Sequence, residues 1–370
     1  MHELASLAAS LVETESINPG LGVGGSGERA AAEVVAEWAR AAGLEAGIDE
    51  VVPARPNVVV TARGTGGGRT LLLNGHLDTV GVVGMEDPFA ARIRDGRLYG
   101  RGAYDMKGAL AAALVAAAQA REEKLAGDVV VACVIDEELA SAGTERLVAS
   151  TTADAAIVCE PTDERLCIAH KGFAGFQVET RGRAAHGSRP DLGVDAIAAM
   201  GPVLTRLAAL ADRLACEPGH DLLGPPSAHA SLIEGGQEYS SYPERCLLTG
   251  ERRTLPGETI ADVEAELREL VEGTGGSAHV TFGRGPFQID AAHELPQQVA
   301  RVSGDAGFFG IAFWTDAALL ADAGVPTVLY GPSGAGAHAT DEWVELESLE
   351  RCSRVYLETA RAICRDRIRT

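Results

Sequence analysis

Several features are scarce or missing in this 370-residue chain, and each absence removes a class of function. There is no basic excess. The formal net charge is −21, so no surplus of Lys and Arg is available to neutralise phosphates, which argues against nucleic acid and against anionic surfaces. No uninterrupted apolar run approaches the roughly 18 residues of a membrane span. The opening stretch MHELASLAASLVETES lacks a basic segment and carries Glu3 and Glu13. It is expected to form a short amphipathic helix, not a signal peptide. Disulfide spacing is also missing: the seven cysteines are odd in number and not closely paired. Cys133, Cys159, Cys167 and Cys246 stand in apolar or strand-like surroundings, where free cysteine acts as a small hydrophobe, so a reducing cytoplasm is the expected compartment.

What is present suits a globular protein, with 46% apolar and 23% charged residues and a length that favours two domains. Helix-like and strand-like segments alternate over the first 160 residues. The spacing predicts helices over 29–44 and 106–124, and strands at NVVVTAR, TLLLNG, DVVVACVI and DAAIVCE. Apolar strands alternating with helices imply a largely parallel sheet covered on both faces, with its site at the carboxyl ends of the strands. Near residue 172 the texture changes to strand, long helix, two strands, helix and strand, the ferredoxin-like βαββαβ order. From about 286 the α/β texture returns and ends in a helix from Leu346. The expected architecture is therefore an α/β catalytic domain, 1–171 and 286–370, interrupted by an inserted domain, 172–285. The pieces GVGGSG and GTGGGR read as turns, because neither joins a strand to a helix with a P-loop lysine.

Chemistry-bearing side chains recur where strands end. LLLNGHLDTV presents His76 and Asp78, and LYGRGAYDMKG presents Asp105 before a helix. VVVACVIDEELASAG presents Asp136, Glu137 and Glu138, DAAIVCEPT presents Glu160, and VLYGPSGAGAHATDEW presents His338. Singly these are weak signals, since an acidic run at a helix start is usually favoured by the helix dipole. Jointly, on one edge of one sheet, they are not. Several carboxylates cannot stay ionised together in a cleft without a cation, because each raises the others' pKa. Two imidazoles with three or more carboxylates exceed one tetrahedral zinc and suit a pair of divalent ions bridged by a carboxylate. Asp78 shares a strand face with His76, so its residue type allows it either to bind the same ion or to hold the ring.

The motifs NGHLDTV, GRGAYDMKG, DEE, CEPT, AAHGSRP, RRTLPGE and GAHATDEW span nearly the whole chain. In that order they resemble the co-catalytic metallopeptidase family of acetylornithine deacetylase, succinyl-diaminopimelate desuccinylase, aminoacylase and glutamate carboxypeptidase. The resemblance implies that His76 and Glu160 hold one metal, Glu138 and His338 the other, and that Asp105 bridges them. It implies that Glu137 is the general base and that Asp78 accepts the second N–H of the His76 ring. Zinc is the first expectation for the metal, and mixed imidazole and carboxylate ligands also accept cobalt or manganese. His186 in GRAAHGSRP takes the place of the family's oxyanion donor, which in many members reaches the partner subunit's site, so a homodimer through the inserted domain is implied. Arg253 takes the place of the arginine that grips a substrate carboxylate. An ordinary ion pair with Glu251 or Glu258 is the alternative for Arg253, and Arg252 is the lesser candidate for the grip. Two departures stand out: SSYP, Ser240 to Pro243, replaces the family's Asn-containing run, and Glu251 stands where Asp is usual. The implied activity is hydrolysis of small N-acyl-amino acids, best matched by an acetylornithine deacetylase-like deacylase. The alternatives are a carboxypeptidase or dipeptidase of the glutamate carboxypeptidase kind and a desuccinylase.

Overall fold

The computed structural model describes residues 2–21, 24–304 and 307–365. The chain forms two compact units. The first comprises residues 2–168, 289–309 and 315–365 of the described chain, and the second comprises 169–288 and 310–314.

The first unit is built on a sheet in the order Glu45–Val52, Arg55–Ala62, Val129–Val134, Leu71–His76, Ala155–Val158, Thr327–Leu329, Leu166–His170. The last of these strands carries the chain out of this unit after Ile168. The four central strands run parallel to one another, while the outer pairings are antiparallel. Leu71–His76, Val129–Val134 and Ala155–Val158 are buried along their whole length, as expected for strands covered on both faces. The two faces can be told apart on the central strand. A Cβ at Gly75 would lie 2.6 Å from the Met106 side chain and 2.8 Å from Leu110, so this glycine lets the helix Gly108–Glu123 close onto one face. Asn74 points the other way and donates to Thr144 of the helix Ala142–Val148. His76, two residues on, shares the face of Asn74. The Ala-rich helix Gly108–Glu123 is buried on nearly all sides, which its small side chains permit. The terminal helix Leu346–Ile363 packs against it. A small antiparallel sheet of Gly334–Ala335, Trp343–Glu345, Arg97–Tyr99 and Arg92–Arg94 completes this unit. GTGGGR forms a turn tied back by Thr65 and Gly66 amides to Leu125 and Ala126. Of GVGGSG, residues 22 and 23 lie outside the described residues.

In the second unit, Ser227–Gly235, Arg245–Thr254, Gly172–Arg181 and Ser277–Arg284 form, in that spatial order, one antiparallel sheet. The helices Ala196–Cys216 and Ile260–Val271 complete the ferredoxin-like order. Strict alternation of burial along Gly172–Arg181 puts Ala174, Phe176 and Val178 in a core with Met200, Val203, Leu207, Val263 and Leu267. Both helices begin on side-chain caps, Asp195 and the Thr259–Asp262 capping box. The short piece 310–314 joins this unit because the Trp314 Nε1–H donates to the Gly285 carbonyl at 3.0 Å and its ring packs on Phe173 and His170. Nothing in the local sequence marks that return.

Among the described residues no helix is long and apolar enough to cross a membrane. All seven cysteines are free, and only Cys216 is exposed.

Candidate metal centre

Parallel neighbours end at the same edge, so three of the sequence motifs meet by topology alone. His76 is the last residue of Leu71–His76, Glu137 and Glu138 follow Val129–Val134, and Glu160 stands two residues beyond Ala155–Val158. Asp105 and His338 do not arrive in that way, which corrects the expectation that every group follows a strand of one sheet. The strand before Asp105, Arg97–Tyr99, belongs to the small sheet, and Asp105 itself sits in an irregular turn, Ala103–Lys107 (φ −118°, ψ 91°). His338 lies in a loop beyond Gly334–Ala335 with left-handed backbone (φ 60°). One carboxylate moulds this region. Glu342 accepts from the amides of Tyr104 (2.9 Å) and Asp105 (3.0 Å) with Oε1, and from Gly102 (3.0 Å) and the Arg101 guanidinium (2.6 Å) with Oε2.

The result is two groups of donor atoms with one member in common. His76, Asp105 and Glu160 form one, and Asp105, Glu138 and His338 the other, with the ligand atoms of each group within 4.8 Å of one another. His76 Nε2 lies 3.2 Å from Asp105 Oδ1 and 3.8 Å from Glu160 Oε1. His338 Nε2 lies 3.4 Å from Asp105 Oδ2 and 3.0 Å from Glu138 Oε2. Asp105 therefore turns one oxygen to each imidazole. Glu137 belongs to neither group; its Oε2 is 4.0 Å from His76 Nε2.

The electrostatics test whether cations fit. Burial, reinforced by the Asp105 charge, pushes the Glu160 carboxyl up to about 8. Burial and the Glu160 charge push Glu137 well above the carboxylate range, and burial raises Glu138. Burial would raise Asp105 too, but its contacts with His338 and His76 hold it below the usual range. His338 is drawn up to about 10 by Asp105 and Glu138, and His76 rises despite its burial because Asp105, Glu160 and Glu137 surround it. Without cations the cluster balances its carboxylates only by holding protons on both imidazoles and on buried acids. Divalent ions do the same without protons, and the donor set, one nitrogen and two carboxylates per group, suits them. The orientation of His76 agrees: its Nδ1–H donates to the Asp78 carbonyl oxygen at 2.9 Å, so Nε2 is the atom turned to Asp105 and Glu160 and, once a cation replaces its proton, the one that would bind.

That contact also corrects the role read for Asp78. Its carboxylate is 3.6 Å from His76 Nδ1, beyond hydrogen-bond length, because the backbone carbonyl takes the N–H instead. The carboxylate accepts from the amides of Glu137 (3.2 Å) and Glu138 (3.3 Å) and from Asn18 Nδ2 (2.9 Å). Asn18 and Glu342 had no local signal in the sequence. They act on residues 60 and 237 positions away, and only the fold brings them there. A further buried acid, Asp316, accepts from Thr144 Oγ1 at 2.6 Å.

His186 and Arg253 belong to the second unit. His186 is exposed, and the Ser188 amide donates to its Nδ1 at 3.2 Å, which puts the neutral ring's proton on Nε2. Arg253 lies over the Phe173 ring, and Glu251 takes its Nε (2.7 Å) and one terminal nitrogen (3.1 Å). The ion pair weighed as the alternative for Arg253 is thus present. Arg252 is buried and held by Glu258 and Glu266. In the run that departs from the family pattern, the Ser240 carbonyl accepts from Gly187 and the Tyr242 amide donates to Ala185, so SSYP is stitched to the His186 loop.

Comparison with known proteins accords with this geometry. The model of peptidase family M20/M25/M40 matches residues 72–362. An acetylornithine deacetylase from Myxococcus xanthus is 33% identical over 334 residues, covering 86% of each chain. Among solved structures, an aminopeptidase from Bacillus cereus superposes with a TM-score of 0.80 at 21% identity, over 98% of this chain and 99% of that one. A dinuclear metal-binding peptidase of family M20 from Bacillus subtilis superposes at 0.73 with 16% identity, covering 98% of both. The chain belongs to peptidase family M20/M25/M40 and is a hydrolase of amide bonds, a deacylase or peptidase.

Proposed function

We propose that this protein removes the acyl group from small N-acyl-amino acids in the cytoplasm, with N-acetylornithine the first candidate substrate. The observation that carries the chemistry is the pair of donor groups sharing Asp105, with Glu137 beside them and bound into neither. The choice of substrate rests on the acetylornithine deacetylases among the relatives, at 33% and 29% identity.

In this reading His76, Asp105 and Glu160 hold one divalent ion and Asp105, Glu138 and His338 the other, with zinc first and cobalt or manganese as substitutes. When bound, such a pair supplies a more acidic water and a polarised acyl carbonyl. Glu137, free of both donor groups, takes the water's proton at its carboxylate and returns it to the departing amine. Asp78 keeps the Glu137–Glu138 backbone in place by binding both amides. His186 is read as the donor to the tetrahedral oxyanion, for which the proton on Nε2 fits it. Arg253 is read as the grip on the substrate carboxylate. Since Glu251 takes two of its nitrogens, the carboxylate would use the remaining terminal nitrogen or displace Glu251.

The same proposal includes a homodimer through the second unit. Among the described residues the edge strand Ser227–Gly235 has one side unpaired in its sheet and exposes Leu232 and Ile233, the kind of edge that isolated chains cover. Sedimentation equilibrium giving a monomer would remove that part.

The deciding experiment is a hydrolysis screen of N-acetyl, N-succinyl and N-formyl amino acids alongside dipeptides, with defined added metals. Turnover of N-acetylornithine above the dipeptides supports the proposal. Turnover of dipeptides alone replaces it with the peptidase alternative.

A further inference from the structure

We infer that Asn18 and Arg55, far from the metal-binding motifs in sequence, are positioning residues for the proton transfer assigned to Glu137; the inference rests on that assignment. The turn that carries Glu137 and Glu138 begins with Asp136, a non-glycine residue in left-handed backbone (φ 68°). Such a conformation persists only where the surroundings over-determine it. Its carbonyl accepts from the amides of Leu139 and Ala140, and its side chain is clamped from two directions. Asp136 Oδ1 accepts from Asn18 Nδ2 at 3.0 Å and from the Arg55 guanidinium at 3.0 Å.

Both clamps are themselves anchored. Asn18 is fully buried, with its amide donating to the Thr79 carbonyl (2.9 Å) and its Oδ1 accepting from Gly20 (3.0 Å). Its Nδ2 bridges two carboxylates, Asp136 and Asp78 (2.9 Å). Arg55 is held in a bidentate pair by Glu28, 2.7 and 2.6 Å, and that carboxylate is fully buried. A continuous path thus runs from Glu28 through Arg55, Asp136 and Asn18 to Asp78, and from Asp78 to the amides of Glu137 and Glu138. None of Asn18, Glu28, Arg55 or Asp136 stands in either donor group.

The consequence is geometric. Two consecutive amides pinned to one carboxylate fix the two peptide planes that flank the Cα from which the Glu137 side chain departs. Releasing Asn18 removes the bridge between Asp78 and Asp136 and lets those planes turn. A displacement of about 1 Å at a reacting group is enough to lower rates by about 10²-fold. Proton transfer is made only in the transition state, so the loss should appear in kcat and not in KM.

The test uses full-length Asn18→Ala, Arg55→Met and Arg55→Lys. Each is assayed for kcat and KM at saturating metal, for metal content by atomic spectrometry, and for amide hydrogen exchange over residues 135–141 in metal-free protein. Asn18→Ala should lower kcat about 10–100-fold with KM nearly unchanged, the usual range for partners behind the ligands. Its metal content should match wild type, and exchange should quicken at 135–141 while Leu71–His76 keeps its protection. Arg55→Met should behave alike, and Arg55→Lys should recover part of the loss. If Arg55→Met fails to fold, Asn18→Ala decides alone, since it leaves the Glu28–Arg55 pair intact. An unchanged kcat, a fall explained by lost metal, or protection lost throughout the unit would overturn the inference. Should wild type hydrolyse no acyl-amino acid, the function proposed above fails, and the exchange measurement still decides whether Asn18 holds the turn.

Discussion

Asp105 is the residue on which the two-ion reading depends most directly, and replacing it with asparagine separates shared from independent sites. Each donor group has three members, and the only common one is Asp105. A ligand that binds only the folded state stabilises it by about 2.7 kcal/mol at a hundredfold excess over Kd, so two ions give about 5 kcal/mol. For a domain of this size that is a rise in Tm of roughly 10–20 °C. Glu160→Gln removes one donor from one group and should keep about half of the rise. Asp105→Asn removes an anionic donor from both groups, leaves each with an imidazole and one carboxylate, and should abolish nearly all of it. Differential scanning calorimetry with and without metal, paired with metal stoichiometry, measures both. The metal-free control does not follow the loss seen with metal: without metal, Glu160→Gln should be no less stable than wild type, because it removes a buried, repelled carboxyl. If Asp105→Asn kept half of the metal-dependent rise, as Glu160→Gln should, the ions would not share it and the two-group geometry would be wrong.

Three further outcomes follow from the same site. Glu137→Gln should retain both ions and the wild-type Tm while kcat falls by about 10²–10⁴, the usual contribution of a general base; metal loss in parallel with activity would make Glu137 a ligand instead. The metal-free protein should be less stable at pH 9 than at pH 6. Glu160 is raised to about 8 and His338 to about 10, so the folded state holds protons that the unfolded chain releases; that stability is complete below the ordinary pKa values and is lost as pH rises through the folded ones. Saturating metal, which displaces those protons, should flatten or reverse the slope, and a thermal-melt series across pH reads it directly. His186→Ala should lower kcat by about 10²–10³, the range for losing one oxyanion donor; an unchanged rate would remove it from the mechanism.

Much of the centre was legible in the chain because its residues sit where strands end. Apolar runs such as LLLNG and VVVACV have to be buried, burial in a parallel sheet aligns their carboxyl ends, and His76 closes its strand while Glu160, Glu137 and Glu138 follow theirs within two to four residues. Alternation in GFAGFQVETR likewise announced the second sheet. Those readings depend on local periodicity, which a sequence carries explicitly. The Asp78 carboxylate was misplaced for a reason equally local: two residues of spacing put it near His76, but one spacing serves a backbone carbonyl and a side chain alike, and the carbonyl lies closer.

The sequence by itself determined the two textures, the strands and helices, and the acidic and imidazole groups available to hold cations. It did so because burial of apolar surface and helix or strand periodicity are properties of neighbouring residues. Only the tertiary structure decided which groups face one another. Glu342 building the Asp105 turn, Asp105 dividing its oxygens between His76 and His338, and Asn18 joining Asp78 to Asp136 are contacts between segments 29 to 237 positions apart. Hydrogen bonds and charge pairs of that kind have directions but no sequence period, so they become visible only once the packed strands and helices have brought their partners within reach.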